Sequence, residues 1–199
     1  MLKVGLTGSI AVGKSFVCEV FRELGCSVLD ADQTAREVVA PETSGWRLII
    51  QQFGSKILQP NNEIDRIKLG AIVFADKAKR QLLNAIVHPL VVEKQDEWLR
   101  GKEAENPDAI AVIDAALMIE SGGFRRFDQL IVVWCAEETQ ISRLMTRNDL
   151  SREEAVLRIN AQMPQEEKKR YADFTIDTTE GFESTRAQTS RIFEHLKLL

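Results

Sequence analysis

The segment GSIAVGKS at positions 8–15 limits the possible folds of this chain more than any other feature. It matches the pattern G-x-x-x-x-G-K-[ST], and it lies between an apolar run containing VGL and a helical pattern at 14–24. Its glycines let backbone N–H groups approach closely spaced phosphate oxygens without obstruction by a Cβ atom. A coincidental glycine turn of this pattern is expected in roughly one such chain in a hundred, because Gly makes up about 7% of residues. The segment therefore predicts a strand, a phosphate-binding loop and a helix, in that order.

The loop residues are the first candidates for binding a nucleoside triphosphate. The helix that follows the loop adds the partial positive charge of its N-terminus. Lys14 is expected to reach the β- and γ-phosphates during catalysis, and the Ser15 hydroxyl is expected to bind a phosphate-bridging Mg²⁺ ion. The residues predicted to bind ATP, with Mg²⁺ as cofactor, are Gly8, Ala11, Val12, Gly13, Lys14, Ser15 and Phe16.

Short apolar runs rich in Val and Ile alternate with longer amphipathic stretches along the chain. These runs predict five strands, at 2–6, 27–29, 109–113, 130–134 and 174–176. Because each run is apolar throughout, both faces of the sheet are predicted to be covered, which is typical of parallel sheets in α/β folds. We therefore expect a three-layer α/β/α fold around a five-stranded parallel sheet, as in nucleotide kinases that carry such a phosphate-binding loop.

The long interval between the second and third strands predicts a helical insertion. Its helices are predicted at 45–53, 66–74, 77–87 and 90–100, with breaks at Gly54, at the turn 60–62 and at Pro89. The predicted domains are a core formed by 1–40 and 107–199, a helical substrate-binding insertion at 41–106, and a helical lid at 140–170 within the core.

The composition is that of an ordinary globular protein. The chain has 199 residues, of which 44% are hydrophobic and 28% charged, so it is unlike collagen-like, disordered or disulfide-scaffold proteins. Its net charge of −4 disfavours a nucleic-acid partner, and its 3 cysteines show no CxxC spacing. The first residues do not have the pattern of a signal peptide, and no window reaches the ~18 consecutive apolar residues of a membrane span. We expect a cytoplasmic protein without nucleic-acid or membrane partners, as a monomer or a small homo-oligomer.

Two carboxylates in the segment LDAD follow the second predicted strand. Asp30 and Asp32 lie at its carboxyl end, the edge at which doubly wound sheets bind their ligands. A carboxylate at this edge would accept the proton of an acceptor hydroxyl, or hold that hydroxyl in line with the γ-phosphate. Asp32 is the preferred candidate, and the alternative is that it only caps the helix predicted to begin near Gln33. For Asp30, functional and structural roles are equally compatible with the sequence.

The predicted lid is rich in basic residues: Arg143, Arg147, Arg152, Arg158, Lys168, Lys169 and Arg170. Such a lid would neutralise charge on the transferred phosphoryl group and exclude water, since hydrolysis competes with transfer. Arg143 is the preferred catalytic candidate and shares a helix face with Arg147. The alternative is a solvated surface whose arginines pair with Glu137, Glu138, Glu153 and Glu154.

Asp114 and the two histidines are weaker candidates. Asp114 ends the predicted strand AIAVID, where it would orient Mg²⁺ or would simply be an acidic strand end. With only His88 and His195 in the chain, no histidine metal cluster can form.

With these residues in place, the sequence resembles the dephospho-CoA kinase family along nearly its whole length. The matching segments are GLTGSIAVGKS, LGCSVLDADQTAREVV, Phe53-Gly54, DR-x-x-L at 65–69, His88-Pro89, LMIE at 117–120, Gln140-x-x-Arg143-x-x-x-Arg147, Ala161-Gln162 and AD-x-x-ID at 172–177. The resemblance implies transfer of the γ-phosphate of ATP to the ribose 3′-hydroxyl of dephospho-CoA, which gives ADP and coenzyme A in the final step of coenzyme A synthesis. It also implies a catalytic role for Asp32, acceptor binding by Arg66 and His88, and a place for Arg143 in the lid beside the phosphates.

The chain departs from the family pattern at three positions. Phe16 replaces the usual Thr, Ala116 stands where Pro is usual, and Thr178 stands where Asn is usual. None of these changes touches Gly13, Lys14, Ser15 or Asp32, so the chemistry is expected to be retained, while any adenine contact near Thr178 stays open.

Three other functions are compatible with a phosphate-binding loop. A kinase for another nucleotide is disfavoured by the long insertion, and a GTPase is disfavoured because no Asn in the chain is followed by Lys, as the NKxD guanine signature requires. A nucleic-acid-remodelling ATPase would be expected to have a larger basic surface or a further domain.

Overall fold

A computed structural model describes residues 1–199, and its centre is a five-stranded parallel sheet. The strands are β1 (Leu2–Gly8), β2 (Ser27–Asp30), β3 (Ile110–Asp114), β4 (Gln129–Trp134) and β5 (Phe174–Asp177). They lie in the order β2-β3-β1-β4-β5, and every neighbouring pair is parallel. The five predicted strands are confirmed, each with bounds shifted by one or two residues.

Nine α-helices accompany the sheet. They are α1 (Lys14–Glu23), α2 (Ala31–Glu37), α3 (Ser44–Phe53), α4 (Arg66–Ala75), α5 (Lys77–Glu105), α6 (Glu137–Asn148), α7 (Arg152–Asn160), α8 (Gln165–Lys169) and α9 (Phe182–Leu196). Short 3₁₀ helices lie at Ser55–Ile57 and Gly123–Arg126.

Two compact units divide the chain. The core unit consists of Met1–Asp30 and Lys102–Leu199, and the insertion unit consists of Ala31–Gly101. The core unit is therefore interrupted between β2 and β3; its first segment ends at residue 30, whereas the bounds predicted from the sequence were 1–40 and 107–199. The residues of α2 pack with the insertion because their apolar positions, such as Val39 just beyond the helix, join its hydrophobic cluster.

Both faces of the core unit's sheet are covered. On one face, Val4 and Leu6 of β1 pack in a buried cluster with Phe21 of α1 and Leu196 of α9. On the other face, a Cβ atom at Gly5 would lie 2.6 Å from the sulfur of Met118. Coverage of both faces explains why the strands are apolar throughout, and it confirms the predicted α/β class.

The insertion unit is helical around its own hydrophobic core. The buried members of this core are Ile49, Ile57, Ile64, Leu69 and Val73. Helix α4 begins after Asp65, whose carboxylate accepts hydrogen bonds from the Ile67 and Lys68 backbone N–H groups. These two bonds satisfy donors of the first helical turn, and they hold the pKa of Asp65 below its usual value, with the Lys68 bond contributing most.

One predicted break in the insertion is wrong. The sequence indicated separate helices at 77–87 and 90–100, whereas α5 is a single helix of 29 residues with Pro89 inside it. Proline removes one backbone hydrogen bond and crowds the preceding turn, but the remaining turns of a long helix can compensate for that loss. None of the helices combines the length and apolarity that a membrane crossing would require.

Candidate active site

The phosphate-binding loop connects β1 to α1 and has the backbone conformation that its glycines predict. A Cβ atom at Gly8 would lie 2.4 Å from the carbonyl oxygen of Val133 on the neighbouring strand, so only Gly fits there. Gly13 precedes α1 with φ 88°, a left-handed conformation that favours Gly. No side chain caps this helix, so the N–H groups of its first turn are available to phosphate oxygens.

Three glutamines hold the loop at Ile10. The backbone N–H of Ile10 donates to Gln162 Oε1 at 2.8 Å, and its carbonyl accepts from Gln140 Nε2 at 2.7 Å. Gln165 in turn donates to Gln140 Oε1 at 2.8 Å. Gln140 is fully buried, so each of its polar atoms requires such a partner. The predicted lid segment therefore fixes the shape of the loop.

Arg143 lies beside the loop through Thr178. Its guanidinium donates to Thr178 Oγ1 at 2.8 Å and to the Thr178 carbonyl at 2.7 Å. The Thr178 hydroxyl in turn donates to the carbonyl of Val12 at 2.8 Å. The structure thus brings the predicted lid arginine to the phosphate-binding loop, with a half-buried side chain whose direction is fixed.

The other predicted lid arginines match the alternative of a solvated surface. Arg152 forms an ion pair with Glu138 at 2.5 Å, and both side chains are exposed. Arg147 is exposed and donates to Asn148 at 3.0 Å. The helix face that Arg147 shares with Arg143 therefore does not give the two arginines the same surroundings.

Lys14, Ser15 and Phe16 occupy the first turn of α1. The side chain of Lys14 is half-buried, and Ser15 is exposed. The Phe16 ring packs on Phe182 with a centroid distance of 4.7 Å. The guanidinium of Arg186 lies over the Phe16 ring, 5.6 Å from its centroid. An aromatic pair therefore lies directly beside the predicted magnesium-binding hydroxyl.

Asp30 and Asp114 lie on adjacent strands at the edge that carries the loop. They are register partners between β2 and β3, and Asp114 is also the partner of Leu6 on β1. The Cys18 thiol, one helical turn beyond Ser15, donates to Asp114 Oδ2 at 3.5 Å. Burial raises the pKa of Cys18, and the negative charge of Asp114 raises it further. Asp114 thus lies where a residue that orients a magnesium ion would be expected.

A buried lysine joins the segment after β3 to α8. Lys168 is fully buried, and its Nζ lies 2.8 Å from Glu120 Oε1 and donates to the Ala116 carbonyl at 2.9 Å. Burial lowers the pKa of Lys168, while the hydrogen bond and charge of Glu120 oppose that shift. The segment around Ala116, where the family usually has Pro, is therefore held by this lysine.

The predicted acceptor residues lie in the insertion unit. Helix α2 begins at Ala31, so Asp32 is inside its first turn and is not its N-cap, contrary to the capping alternative. Asp32 and Arg66 line one cavity of about 350 Å³ together with Arg36. His88 is exposed on α5 and lines neither this cavity nor the neighbouring one, although Val87 does line the latter.

The three cysteines are free and buried. Burial raises the pKa of Cys26 to about 12, and it raises the pKa of Cys135 as well. All three thiols therefore stay protonated at neutral pH.

Several residues that shape the site were not among the site residues predicted from the sequence. These are Gln140, Gln162, Gln165, Thr178, Glu120 and Lys168. Gln140, Gln162 and Glu120 belong to segments that match the family, and this match was the one sequence signal that could have marked them as site residues. Their partners are distant in sequence, however, so pattern alone could not pair them.

Comparisons with known proteins agree with this geometry. The family model for dephospho-CoA kinase matches residues 2–183. A dephospho-CoA kinase of Geobacillus kaustophilus is 46% identical over 195 residues, which cover 97% of this chain and 96% of the relative.

Solved structures give the same result. The crystal structure of TT1252 from Thermus thermophilus has a TM-score of 0.82 at 27% identity, covering 98% of this chain and 96% of the other. A dephospho-CoA kinase from Campylobacter jejuni has a TM-score of 0.65 at 28% identity, with the same coverage of both chains. These matches confirm the kinase fold and the resemblance stated above. The chain belongs to the dephospho-CoA kinase family.

Proposed function

We propose that this chain transfers the γ-phosphate of ATP to the ribose 3′-hydroxyl of dephospho-CoA, giving coenzyme A and ADP. Family membership supports the phosphorylation of dephospho-CoA by ATP. The observation that carries the donor half of the proposal is the uncapped N-terminus of α1 behind a glycine loop. This arrangement binds phosphates through backbone N–H groups and leaves the side chains of Lys14 and Ser15 for the chemistry.

In this proposal each donor-side residue has one task. Lys14 places its ammonium on the β- and γ-phosphates, and Arg143 supports the charge that develops on the transferred group. The contacts of Arg143 with Thr178 support its role, because a guanidinium held in one direction loses little entropy when phosphate binds. Gly8, Ala11, Val12, Gly13 and Phe16 complete the ATP-binding site.

The donor set fits Mg²⁺ only together with the nucleotide. The chain has no group of three or more His, Cys, Asp or Glu side chains that could hold a metal ion alone. Mg²⁺ usually combines one or two protein ligands with phosphate oxygens and water, so Ser15 would be the direct ligand and Asp114 would orient it. When bound, the ion would supply positive charge to the phosphate oxygens.

The acceptor-side residues are Asp32, Arg66 and His88. Asp32 is exposed in the first turn of α2. An ionised carboxylate can accept the hydrogen bond of the 3′-hydroxyl and take its proton as the new O–P bond forms. We further propose that the protein works in the cytoplasm as a monomer or a small homo-oligomer, without a nucleic-acid or membrane partner, and that 140–170 act as a lid.

A coupled assay of ADP release tests the reaction. We expect ADP production to require both Mg²⁺ and dephospho-CoA, since the site must exclude water to favour transfer over hydrolysis. Equal ADP production without the acceptor would contradict the kinase function.

Substitution of Asp32 tests the acceptor side. We expect Asp32→Asn to lower kcat by about 10²–10⁴-fold, the usual contribution of a positioned acid or base. Binding of an ATP analogue, measured by calorimetry, should change less than twofold, because the loop and not Asp32 holds the triphosphate. Near-normal turnover would leave Asp32 with a structural role only.

A further inference from the structure

Lys168 is the only charged side chain that the protein buries fully, and no step of the proposed reaction uses it. Its ammonium donates to the Ala116 carbonyl at 2.9 Å and lies 2.8 Å from Glu120 Oε1. Burying a charge is costly, and a hydrophobic pair in place of a buried ion pair is often equally stable or more stable. Folding stability alone therefore does not explain a lysine at this position.

The Ala116 carbonyl joins Lys168 to the strand that leads into the phosphate-binding loop. This carbonyl also lies 3.3 Å from the hydroxyl of Thr7, which donates to it and directly precedes the loop. The neighbouring Ala115 N–H donates to the carbonyl of Leu6 at 3.0 Å. The position of the 115–116 backbone therefore determines the position of the residues that enter the loop.

Glu120 joins Lys168 to the turn before α8. The Oε1 atom that pairs with Lys168 also accepts from the Met163 N–H at 3.4 Å. The Met163 carbonyl in turn accepts from the hydroxyl of Ser9 at 3.5 Å, and Ser9 is only 2% exposed. The residue before Met163 holds the Ile10 N–H, as described above. This turn therefore contacts two consecutive residues of the loop.

Lys168 makes the shorter contacts between these two stretches of chain. Three contacts join 162–168 to 116–120, and those of Lys168 are at 2.9 and 2.8 Å, whereas the Met163–Glu120 contact is at 3.4 Å. Each stretch also bonds to the loop or to the residue before it. The contacts thus form a closed ring under the loop, here called the Lys168 ring. Its members are Thr7, Ser9, Ala116, Glu120, Met163 and Lys168.

Lys168 also interacts with the charge of the phosphate-binding lysine. Burial is the main cause that lowers the pKa of Lys168, and the positive charge of Lys14 acts in the same direction, against Glu120. An anionic triphosphate bound at Lys14 would reduce this repulsion. Lys168 therefore adds a second positive charge that favours an anion in the loop.

We propose that Lys168 is a positioning residue for ATP, whose ammonium links 116–120 to 162–168 and so holds the loop backbone in its phosphate-binding shape before the nucleotide arrives. Lys168 itself does not touch ATP and acts through Thr7, Ser9 and Ile10. A loop that is fixed in advance loses less conformational entropy when it binds. This inference rests on the proposed function.

The test measures ATP binding in Lys168→Met. We expect the Kd for a non-hydrolysable ATP analogue, measured by calorimetry, and the KM for ATP to rise about 10- to 100-fold, because a loop displaced by about 1 Å binds and aligns the phosphates poorly. The KM for dephospho-CoA should stay within about twofold, since the Lys168 ring lies entirely in the core unit. Lys197→Met, which removes an exposed lysine of the same unit, should leave both KM values unchanged.

A matched control separates position from stability. Leu196 is 2% exposed, so Leu196→Ala should leave a cavity and destabilise the core unit comparably. The end of α9 lies at the edge of the sheet opposite the loop, because the ring of His195 packs on Phe174, the first residue of β5, at 5.3 Å. The KM for ATP should therefore be unchanged in Leu196→Ala.

A double variant makes the same distinction from the other side. Lys168→Met/Glu120→Gln removes the carboxylate that the single variant leaves unpaired, so part of the lost stability should return. The link to Ala116 is still missing, so the KM for ATP should stay raised. If Lys168→Met does not fold, this more stable variant carries the same expectation.

Three results would overturn the inference. The first is a KM for ATP within about threefold of wild type in folded Lys168→Met or in the double variant. The second is a double variant that regains stability and ATP affinity together. The third is an equal rise of the KM for ATP in Leu196→Ala, because the effect would then follow stability.

The two proposals fail in different ways. If the wild-type protein does not phosphorylate dephospho-CoA, the proposed function is wrong, whereas calorimetry with the ATP analogue still tests Lys168. If the wild-type protein is active and Lys168→Met binds ATP normally, the inference about Lys168 is wrong and the function stands.

Discussion

The side chain of Thr178 connects Arg143 to the phosphate-binding loop. Its hydroxyl is almost fully buried, accepts from Arg143 and donates to Val12. An Asn at this position would also offer an acceptor and a donor, which explains physically how the family's usual residue and this one can serve the same contact.

Replacing that hydroxyl should weaken ATP binding. In Thr178→Val the shape is kept while Arg143 and Val12 each lose a partner, so we expect the KM for ATP to rise about tenfold, or ~1.4 kcal/mol. Steady-state kinetics measure this change in the KM for ATP. Thr146→Val is the control, because Thr146 is exposed and its hydroxyl donates to a carbonyl of its own helix. An unchanged KM would show that Arg143 is held by other contacts.

The contribution of the buried Lys168–Glu120 ion pair can be tested through the free energy of unfolding. Removing one partner of a buried ion pair typically costs about 3–5 kcal/mol, and we expect Lys168→Met to lose about 2–3 because Glu120 is partly exposed. Chemical denaturation measures the loss. Lys197→Met, which removes an exposed pair with Glu194, should change stability by less than about 1 kcal/mol.

The pH dependence of this loss has a definite sign. The pKa of Lys168 is lowered in the folded protein, so between that pKa and the ordinary value the unfolded chain binds more protons. The free energy of unfolding of the wild type should therefore rise with pH in this alkaline window, relative to Lys168→Met. A constant difference between the two proteins would contradict the lowered pKa.

At the residue level, sequence identified the parts of the site that have local signatures. The loop glycines, Lys14 and Ser15 are encoded in eight consecutive positions, and their strand–loop–helix context is observed. Lys168 and Gln162 could not be assigned, because their hydrogen-bond partners Ala116 and Ile10 lie 52 and 152 residues away in sequence. The sequence placed Lys168 only in a basic segment, whereas the structure buries it fully.

At the level of elements, strand positions were predictable and one helix was not. The strands are short, apolar and bounded by turns, so their signal is local. The break at Pro89 was predicted from a rule that holds on average, whereas α5 continues through it for 29 residues in all.

Helix α5 therefore predicts a gain in stability on substitution. Pro89→Ala restores a backbone N–H and removes the ring, so we expect the free energy of unfolding to rise by about 1–3 kcal/mol. The denaturation midpoint at constant m-value measures this gain. Pro60→Ala, in an exposed turn, should give no gain. A less stable Pro89→Ala protein would mean that the proline ring makes necessary packing contacts.

At the level of the whole molecule, the two units should respond to different ligands. We expect a non-hydrolysable ATP analogue to slow hydrogen exchange at 8–15, in the core unit, and dephospho-CoA to slow it at 32–40 and 63–69, in the insertion unit. Mass spectrometry of the labelled peptides measures both effects. Protection by dephospho-CoA that is confined to core-unit peptides would contradict an acceptor site in the insertion.

The three buried thiols can report how long the core unit stays closed. Cys18, Cys26 and Cys135 all belong to the core unit, and their raised pKa values leave almost no reactive thiolate at neutral pH. An alkylating reagent can therefore modify them only when the core unit opens, whatever the insertion unit does. The time course of alkylation would report the lifetime of the closed core, without any introduced label.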